Sequence, residues 1–392
     1  VARRPRTSAS GPLKLDLALQ GGGSHGAFTW GVLDRLLDEE RIEFDGISGT
    51  SAGAVNAVAV AAGLTDGGRR GAQQSLRRVW EGVGRLGSWV SEPAQAAVAG
   101  TPLEPWARAA QEWQRAILDA AGPLGQWQSQ ATRMWAAAWT QAFSPYDSNP
   151  WGLHPLRRIL EQNIDFDAVR RCSKARLFIA TTSVRNGRLR LFSCPDLSVD
   201  VVLASACLPT LFQGVQIDGE TYWDGGYAGN PALLPLVAHT DADDVLVVQI
   251  NPIERAQDPR TAQDILDRMN EITFNATLLK DLRALALLQR LGELDTDTAA
   301  ALTGSTMRPL GSLATSPADL LDRVQNLRLH RIDGGDELAA LGAGTKTDST
   351  LPLLERLHDL GWAQADAWLA ANGADLGRRS TLDLTGYLDM DL

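Results

Sequence analysis

Apolar and polar residues alternate along Leu15-Asp16-Leu17-Ala18-Leu19-Gln20, which predicts a strand. The strand runs into Gly21-Gly22-Gly23-Ser24-His25-Gly26, and helical periodicity follows over about 27–40. Phe44-Asp45-Gly46-Ile47-Ser48 predicts a second strand, ending in Gly49-Thr50-Ser51-Ala52-Gly53. Beyond it Ala54, Val55, Ala57, Val58, Ala59, Val60 and Ala61 form an almost wholly apolar run, the pattern of a central helix buried in the interior. Residues 156–161 read as a helix and 176–184 as a core strand. Asn186-Gly187 and Asp218-Gly219 each separate two strand-like runs and predict hairpins. Between the hairpins lies a helix around Val201–Ala206, stopped by Pro209, and the second hairpin's return strand ends in Asp224-Gly225-Gly226. A buried strand over 245–250, a helical stretch over 261–302, an edge strand over 327–332 and a helical pair over 353–360 and 362–371 complete the pattern.

One stretch departs from this alternation. From about 66 to 146 the chain turns to arginine pairs, alanines and Trp80, Trp89, Trp106, Trp113, Trp127, Trp135 and Trp139; with Trp151 these are eight of its twelve tryptophans. Trp106 with Trp113, and Trp135 with Trp139, share helix faces. Such a stretch suits a helical cap packed on the main domain. Tryptophan with arginine is also what an amphipathic helix uses among lipid headgroups, so peripheral membrane contact through this insert is a second expectation. The organisation expected is a disordered basic tail over 1–14, a main domain over 15–335 carrying the Trp-rich insert at about 66–150, and a helical extension over 336–392.

At 392 residues and 44% hydrophobic, the chain can bury a large core. A net charge of -10 argues against a nucleic-acid partner. Three cysteines, Cys172, Cys194 and Cys207, without metal-type spacing favour a reducing, cytoplasmic setting over a disulfide framework. No run approaches the roughly 18 apolar residues of a spanning helix. No metal-ligand cluster stands out, and no cofactor is expected.

Gly49-x-Ser51-x-Gly53 is the spacing that lets a strand turn sharply into a helix with a serine at the apex, where free helix N–H groups face the atom under attack. Alone it is equally an ordinary glycine turn with Ser51 as a helix cap. The first glycine loop satisfies Gly-x-Gly-x-x-Gly, but a dinucleotide reading needs an acid closing the second strand, and Asp45 opens it. Exposed backbone donors for an oxyanion fit better, with Ser51 delivered next door if the two strands pair in parallel. A serine needs a base. The histidines are His25, in that loop, and His154, His239, His330 and His358, none at an evident position for a base. Several strands precede the serine in an α/β-hydrolase and only about one does here, which disfavours that fold. Asp224, at a strand end, is the stronger candidate: a buried carboxylate with a raised pKa can take a serine proton directly.

In combination these motifs resemble the patatin-like phospholipase family. The match rests on Gly21-Gly22-Gly23-Ser24-His25-Gly26, Gly49-Thr50-Ser51-Ala52-Gly53 and Asp224-Gly225-Gly226, with Ala204-Ser205-Ala206-Cys207-Leu208-Pro209 similar to the block before the family's aspartate. It covers roughly 15–255 and extends toward residue 332. The resemblance implies a three-layer α/β/α domain on a mostly parallel sheet and a metal-free Ser-Asp dyad that hydrolyses lipid acyl esters. Carried over, Ser51 is the nucleophile, Asp224 the base and the N–H groups of Gly21, Gly22 and Gly23 the oxyanion hole, with His25, Gly26, Gly49, Gly53, Gly225 and Gly226 supporting them. His25 stands where the family usually has Arg or Lys, and Gln20 where many members have Asp. The same dyad acting on an acylglycerol, thioester or storage polyester is one alternative; a non-catalytic lipid-binding protein is another.

Overall fold

The computed structural model describes residues 11–91, 144–149, 152–255, 257–292 and 317–388. Eight strands, β1 (Leu13–Leu19), β2 (Ile42–Gly49), β3 (Arg176–Ser183), β4 (Leu189–Ser193), β5 (Val215–Ile217), β6 (Glu220–Asp224), β7 (Asp244–Gln249) and β8 (Arg328–Asp333), form one sheet in the order β5-β6-β3-β2-β1-β7-β8, with β4 also paired to β3. β1, β2, β3, β7 and β8 pair in parallel, while β4 and β6 run antiparallel to β3, and β5 to β6. Both expected hairpins are present, the second turning at Asp218 (φ 51°) and Gly219 (φ 78°), the paired positive angles that match strand twist.

The helices used below are α1 (Gly26–Leu37), α2 (Ala52–Ser91), α3 (Val199–Ser205), α4 (Ala262–Gly292) and α5 (Leu351–Asn372). Period-two alternation sends Leu15, Leu17 and Leu19 of β1 to one face of the sheet, where they join the core of α1, α2 and α5; Ala18, with Val245 and Val247 of β7, faces the other, under Leu278, Leu282 and Leu285 of α4. The result is a three-layer α/β/α domain around a mostly parallel sheet. Strands buried on both faces are why β7 is apolar almost throughout.

Two segments depart from the sequence pattern. Residues 69–85, read as the start of an insert, continue α2: the helix folds back at Gly68 (φ 61°, ψ -149°), and its return arm places Ala72, Leu76, Val79 and Trp80 in the core. Trp80 Nε1 donates to Asn56 Oδ1 on the outgoing arm at 2.8 Å. The remaining insert tryptophans lie outside the residues described at side-chain level, as do residues 1–10 of the expected tail; Leu13 and Lys14 already belong to β1. The C-terminal pair is instead the single helix α5, whose Leu354, Leu357, Ala365 and Leu369 are buried in the same core as α1. The two helices cross where both backbones are bare: a Cβ on Gly31 would sit 1.9 Å from His358 O, and one on Gly361 2.0 Å from Phe28 O.

The register on β3 brings distant strand ends together. β4 pairs with Phe178–Thr182, so β2, which overlaps it at Phe178 and Ile179, and β6, which overlaps it at Thr181 and Thr182, must both occupy the opposite edge. β2 and β6 therefore meet head to head along one edge of β3, β2 ending with Gly49 opposite Ile179 and β6 with Asp224 opposite Thr181. Among the described residues no helix is long and apolar enough to cross a membrane.

Candidate active site

Ser51 sits between the end of β2 and the start of α2 with φ 54°, a left-handed conformation that non-glycine residues rarely adopt. Such strain persists only where the surroundings fix it. Thr50 Oγ1 donates to Gly229 O at 2.7 Å and Ser51 N to Ser205 Oγ, at the end of α3, at 2.9 Å. The flanking glycines allow the fold: a Cβ on Gly53 would lie 2.2 Å from Leu19 O, and one on Gly49 2.5 Å from Gly53 O.

Asp224 is fully buried. Its Oδ1 accepts from Gly226 N at 2.7 Å, Gly225 and Gly226 forming the tight turn that aims this donor, while Oδ2 has no hydrogen-bond partner. Burial pushes its pKa up to about 7, against smaller opposing pulls from the Gly226 N–H and the Ser51 hydroxyl. Ser51 is the side chain that acts on this carboxylate, yet no bond within 3.5 Å joins them: they are adjacent, with one carboxylate oxygen left over.

Facing them is the first glycine loop. Gly21 N donates to Asn230 Oδ1 at 2.7 Å, which corrects its expected part in an oxyanion hole: its N–H is already used. The missing side chain at Gly21 matters instead for packing, since a Cβ there would sit 2.7 Å from Ser51 Cβ. No hydrogen bond within the described residues uses the N–H groups of Gly22 or Gly23. Gly26 opens α1 and its carbonyl accepts from Asn56 Nδ2 at 3.0 Å.

Buried amides hold the loop; of these only Gln20 stood out in the sequence, and without this role. Gln20 Oε1 accepts from Ile250 N and Asn251 N, both at 2.7 Å, and its Nε2 donates to Asn275 Oδ1 at 2.9 Å. Asn251 Nδ2 donates to Gly21 O at 3.0 Å, and Asn230 Nδ2 to Phe274 O at 3.0 Å. Gln20 thus ties the end of β1 to the chain leaving β7. An unpaired buried amide is costly, which is why the set closes on itself.

His25 is buried, and its Nε2 bonds Thr345 Oγ1 at 2.7 Å. Burial, with the nearby Lys346 charge, lowers its pKa to about 4, so it is neutral and does not replace the family's cation. His154 stacks on Phe212 at 4.0 Å, and burial likewise lowers it to about 4. His330 bonds Asp244 and His358 bonds Asp34. No histidine hydrogen-bonds Ser51. Cys207 is a buried thiol that burial pushes up to about 12.

Ser51, Asp224, Gly22 and Gly23 line one cavity of about 640 Å³. Its lining is mixed: Val55, Val83, Leu156, Leu208 and Phe274 are apolar, while Ser24, Asn270, Lys346, Thr347 and Ser349 are polar or charged.

The family model of the patatin-like phospholipases matches residues 17–237, more than half the chain. The chain belongs to this family. That patatin-like stretch contains Ser51, Asp224 and the glycine loop, and ends before Asn251, Asn275 and Lys346. Among solved structures, VipD from Legionella pneumophila is similar over 90% of this chain and 67% of its own, at 14% identity and a TM-score of 0.34. The heterodimeric ExoU–SpcU complex of the Pseudomonas aeruginosa type III secretion system is similar over 96% and 75%, at 18% identity and a TM-score of 0.27. No curated protein matches the chain.

Proposed function

We propose that this patatin-like protein is a serine acyl hydrolase of lipid esters, working through Ser51 and Asp224. The observation that carries the reading is the head-to-head meeting of β2 and β6 on β3, which sets a strained serine beside a buried carboxylate with a free oxygen. Ser51 Oγ attacks the acyl carbonyl while its proton passes to Asp224. Oxyanion charge develops toward the N–H groups of Gly22 and Gly23, helped by the positive end of α2. Collapse breaks the bond to the alcohol, which leaves with the proton from Asp224. Water then attacks the acyl-enzyme, giving its proton to Asp224, and the fatty acid departs as Ser51 Oγ recovers that proton. A carboxylate with a pKa near neutrality suits both directions of transfer. The apolar lining residues would take the acyl chain.

The test is fatty-acid release from mixed phospholipid vesicles by wild type and Ser51→Ala, with fluorophosphonate labelling of both. Release and labelling that vanish in the variant are expected, a loss on the order of 10³-fold or more. A folded wild type that neither labels nor hydrolyses vesicles, acylglycerols or short esters would mean a lipid-binding protein without this chemistry. Membrane docking through the Trp-rich insert stays part of the proposal; Trp80, bonded to Asn56 in the core, is not its contact residue.

A further inference from the structure

The cavity holds a cation that neither the motifs nor the proposed chemistry employs. Lys346 comes from a short turn (Ala343–Thr347) just before α5, beyond the stretch matched by the family model. The turn lies directly on the glycine loop: Lys346 O is 2.4 Å from where a Cβ on Gly23 (φ 59°) would stand, and the adjacent Thr345 bonds His25. Lys346 Nζ donates to Asn251 Oδ1 at 2.5 Å and to Asn270 Oδ1 at 3.4 Å. Both partners are neutral amides, and among the described residues Lys346 makes no ion pair with a carboxylate. An ammonium has three donors, so one remains for the cavity.

The surrounding charges leave this cation unbalanced. Glu271, the buried carboxylate nearby, is taken by Arg255 and by Arg268, the latter at 3.2 Å. Asp267, which lines the cavity, is the other acid felt by Lys346, so among the described residues Lys346, Arg255 and Arg268 face two carboxylates. His25 adds no charge. Burial lowers the Lys346 pKa to about 8, which leaves the ammonium mostly protonated at neutral pH. Ser24, Thr347 and Ser349 bring hydroxyls to the same cavity, and Val55, Val83, Leu156, Leu208 and Phe274 give it an apolar lining. One cation, several small donors and an apolar lining in one cavity fit an amphiphile whose polar end is an anion with several acceptor oxygens.

We propose that Lys346 anchors a phosphate group on the substrate, so that this site selects lipid esters bearing a phosphate headgroup over neutral esters. The inference rests on the hydrolase reading for the word substrate, but the binding site is testable without turnover. Full-length Ser51→Ala would be titrated calorimetrically with hexyl phosphate, hexanol and inorganic phosphate, then again with Lys346→Gln or Lys346→Arg added. Glutamine removes the charge and keeps an N–H donor on a side chain one bond shorter. Hexyl phosphate should bind at least tenfold more tightly than hexanol, with inorganic phosphate far weaker. Lys346→Gln should erase that advantage and Lys346→Arg restore part of it.

Equal binding of hexyl phosphate and hexanol by Ser51→Ala would overturn the proposal, as would an advantage that survives Lys346→Gln. Inorganic phosphate binding as tightly as hexyl phosphate would reassign the site to a free anion and overturn the headgroup role. Hydrolysis of a short neutral ester by wild type reports separately on the chemistry. Its absence, with the hexyl phosphate preference intact, would sink the hydrolase reading and leave the anion site standing.

Discussion

The stretch from 17 to 237 and the stretch after it divide the site between them in an instructive way. The first supplies the atoms proposed to react: Ser51, Asp224 and the N–H groups of Gly22 and Gly23. It also holds part of them in place, through Gln20, Asn230 and Ser205, and the second adds the rest of the support: Asn251 and Asn275 behind the glycine loop, Thr345 and Lys346 on top of it, and α5 against α1. Reacting groups need a specific element and spacing, so they leave motifs. Holding groups need only reach a neighbour with the right donor or acceptor, and many chain paths provide that. The C-terminal stretch is therefore part of the same domain in packing.

The severest way to break this comparison is to remove the second stretch. A chain ended after Gly342 loses the turn and α5 together. It would uncover the α1 face that meets Gly361 at Phe28 and Val32, two side chains each worth about 1.5–3 kcal/mol when buried, and would remove His358 from the ring of Trp30. The expected outcome is failure to fold, seen as lost cooperative melting and lost activity. A truncated protein that melted cooperatively and hydrolysed esters would make 343–392 an accessory after all.

A finer cut leaves the fold intact. Asn251→Ala removes the donor to Gly21 O and the acceptor of Lys346 while leaving Ser51 and Asp224 untouched. If the second stretch positions the loop, kcat/KM should fall on the order of 10–100-fold for neutral and phosphate-bearing esters alike, since a small displacement of donors weakens transition-state stabilisation. Lys346→Gln, by contrast, should discriminate between those substrates. A loss of melting temperature in Asn251→Ala without loss of kcat/KM would reduce the amide set to a structural role.

The same division explains what could be read in advance. Strand ends carrying Ser51 and Asp224 and both hairpins follow from periodicity and turn residues, which are local signals; the parallel pairing of β1 with β2, a condition of the sequence reading, is present in the structure. That the two strand ends meet is a property of register on β3, which no local pattern encodes. The fold-back at Gly68 was hidden by the arginines around it, although Ala72, Leu76, Val79 and Trp80 fall at helical spacing. Gly361 suggested a break between two helices; in the structure it is where α5 passes close to α1. Gln20 stood out only as a departure from the family's usual Asp, and Asn230, Asn251 and Asn275 gave no sign because single amides are common everywhere on a chain. Only their burial together makes them informative.

The mildest test changes no residue and asks whether Asp224 works by its own burial. With the pKa of its carboxyl raised to about 7, the form that can take a proton is lost below that pH. For a short neutral ester, kcat/KM should be flat above about pH 7.5 and fall tenfold per unit below about 6.5. The other titrating groups of the cavity sit elsewhere: His154 is lowered to about 4 by burial, as is His25 behind it, and Lys346 to about 8. Stability carries the opposite sign. A carboxyl whose folded pKa lies above its unfolded value costs the native state nothing below about pH 4 and its full penalty above about pH 7, as ionisation becomes the unfolded chain's advantage. Asp224→Asn, inactive, should therefore melt higher than wild type at pH 8 and equally with it at pH 4. An activity profile that is flat down to pH 5, or an asparagine variant no more stable at pH 8, would place the base elsewhere.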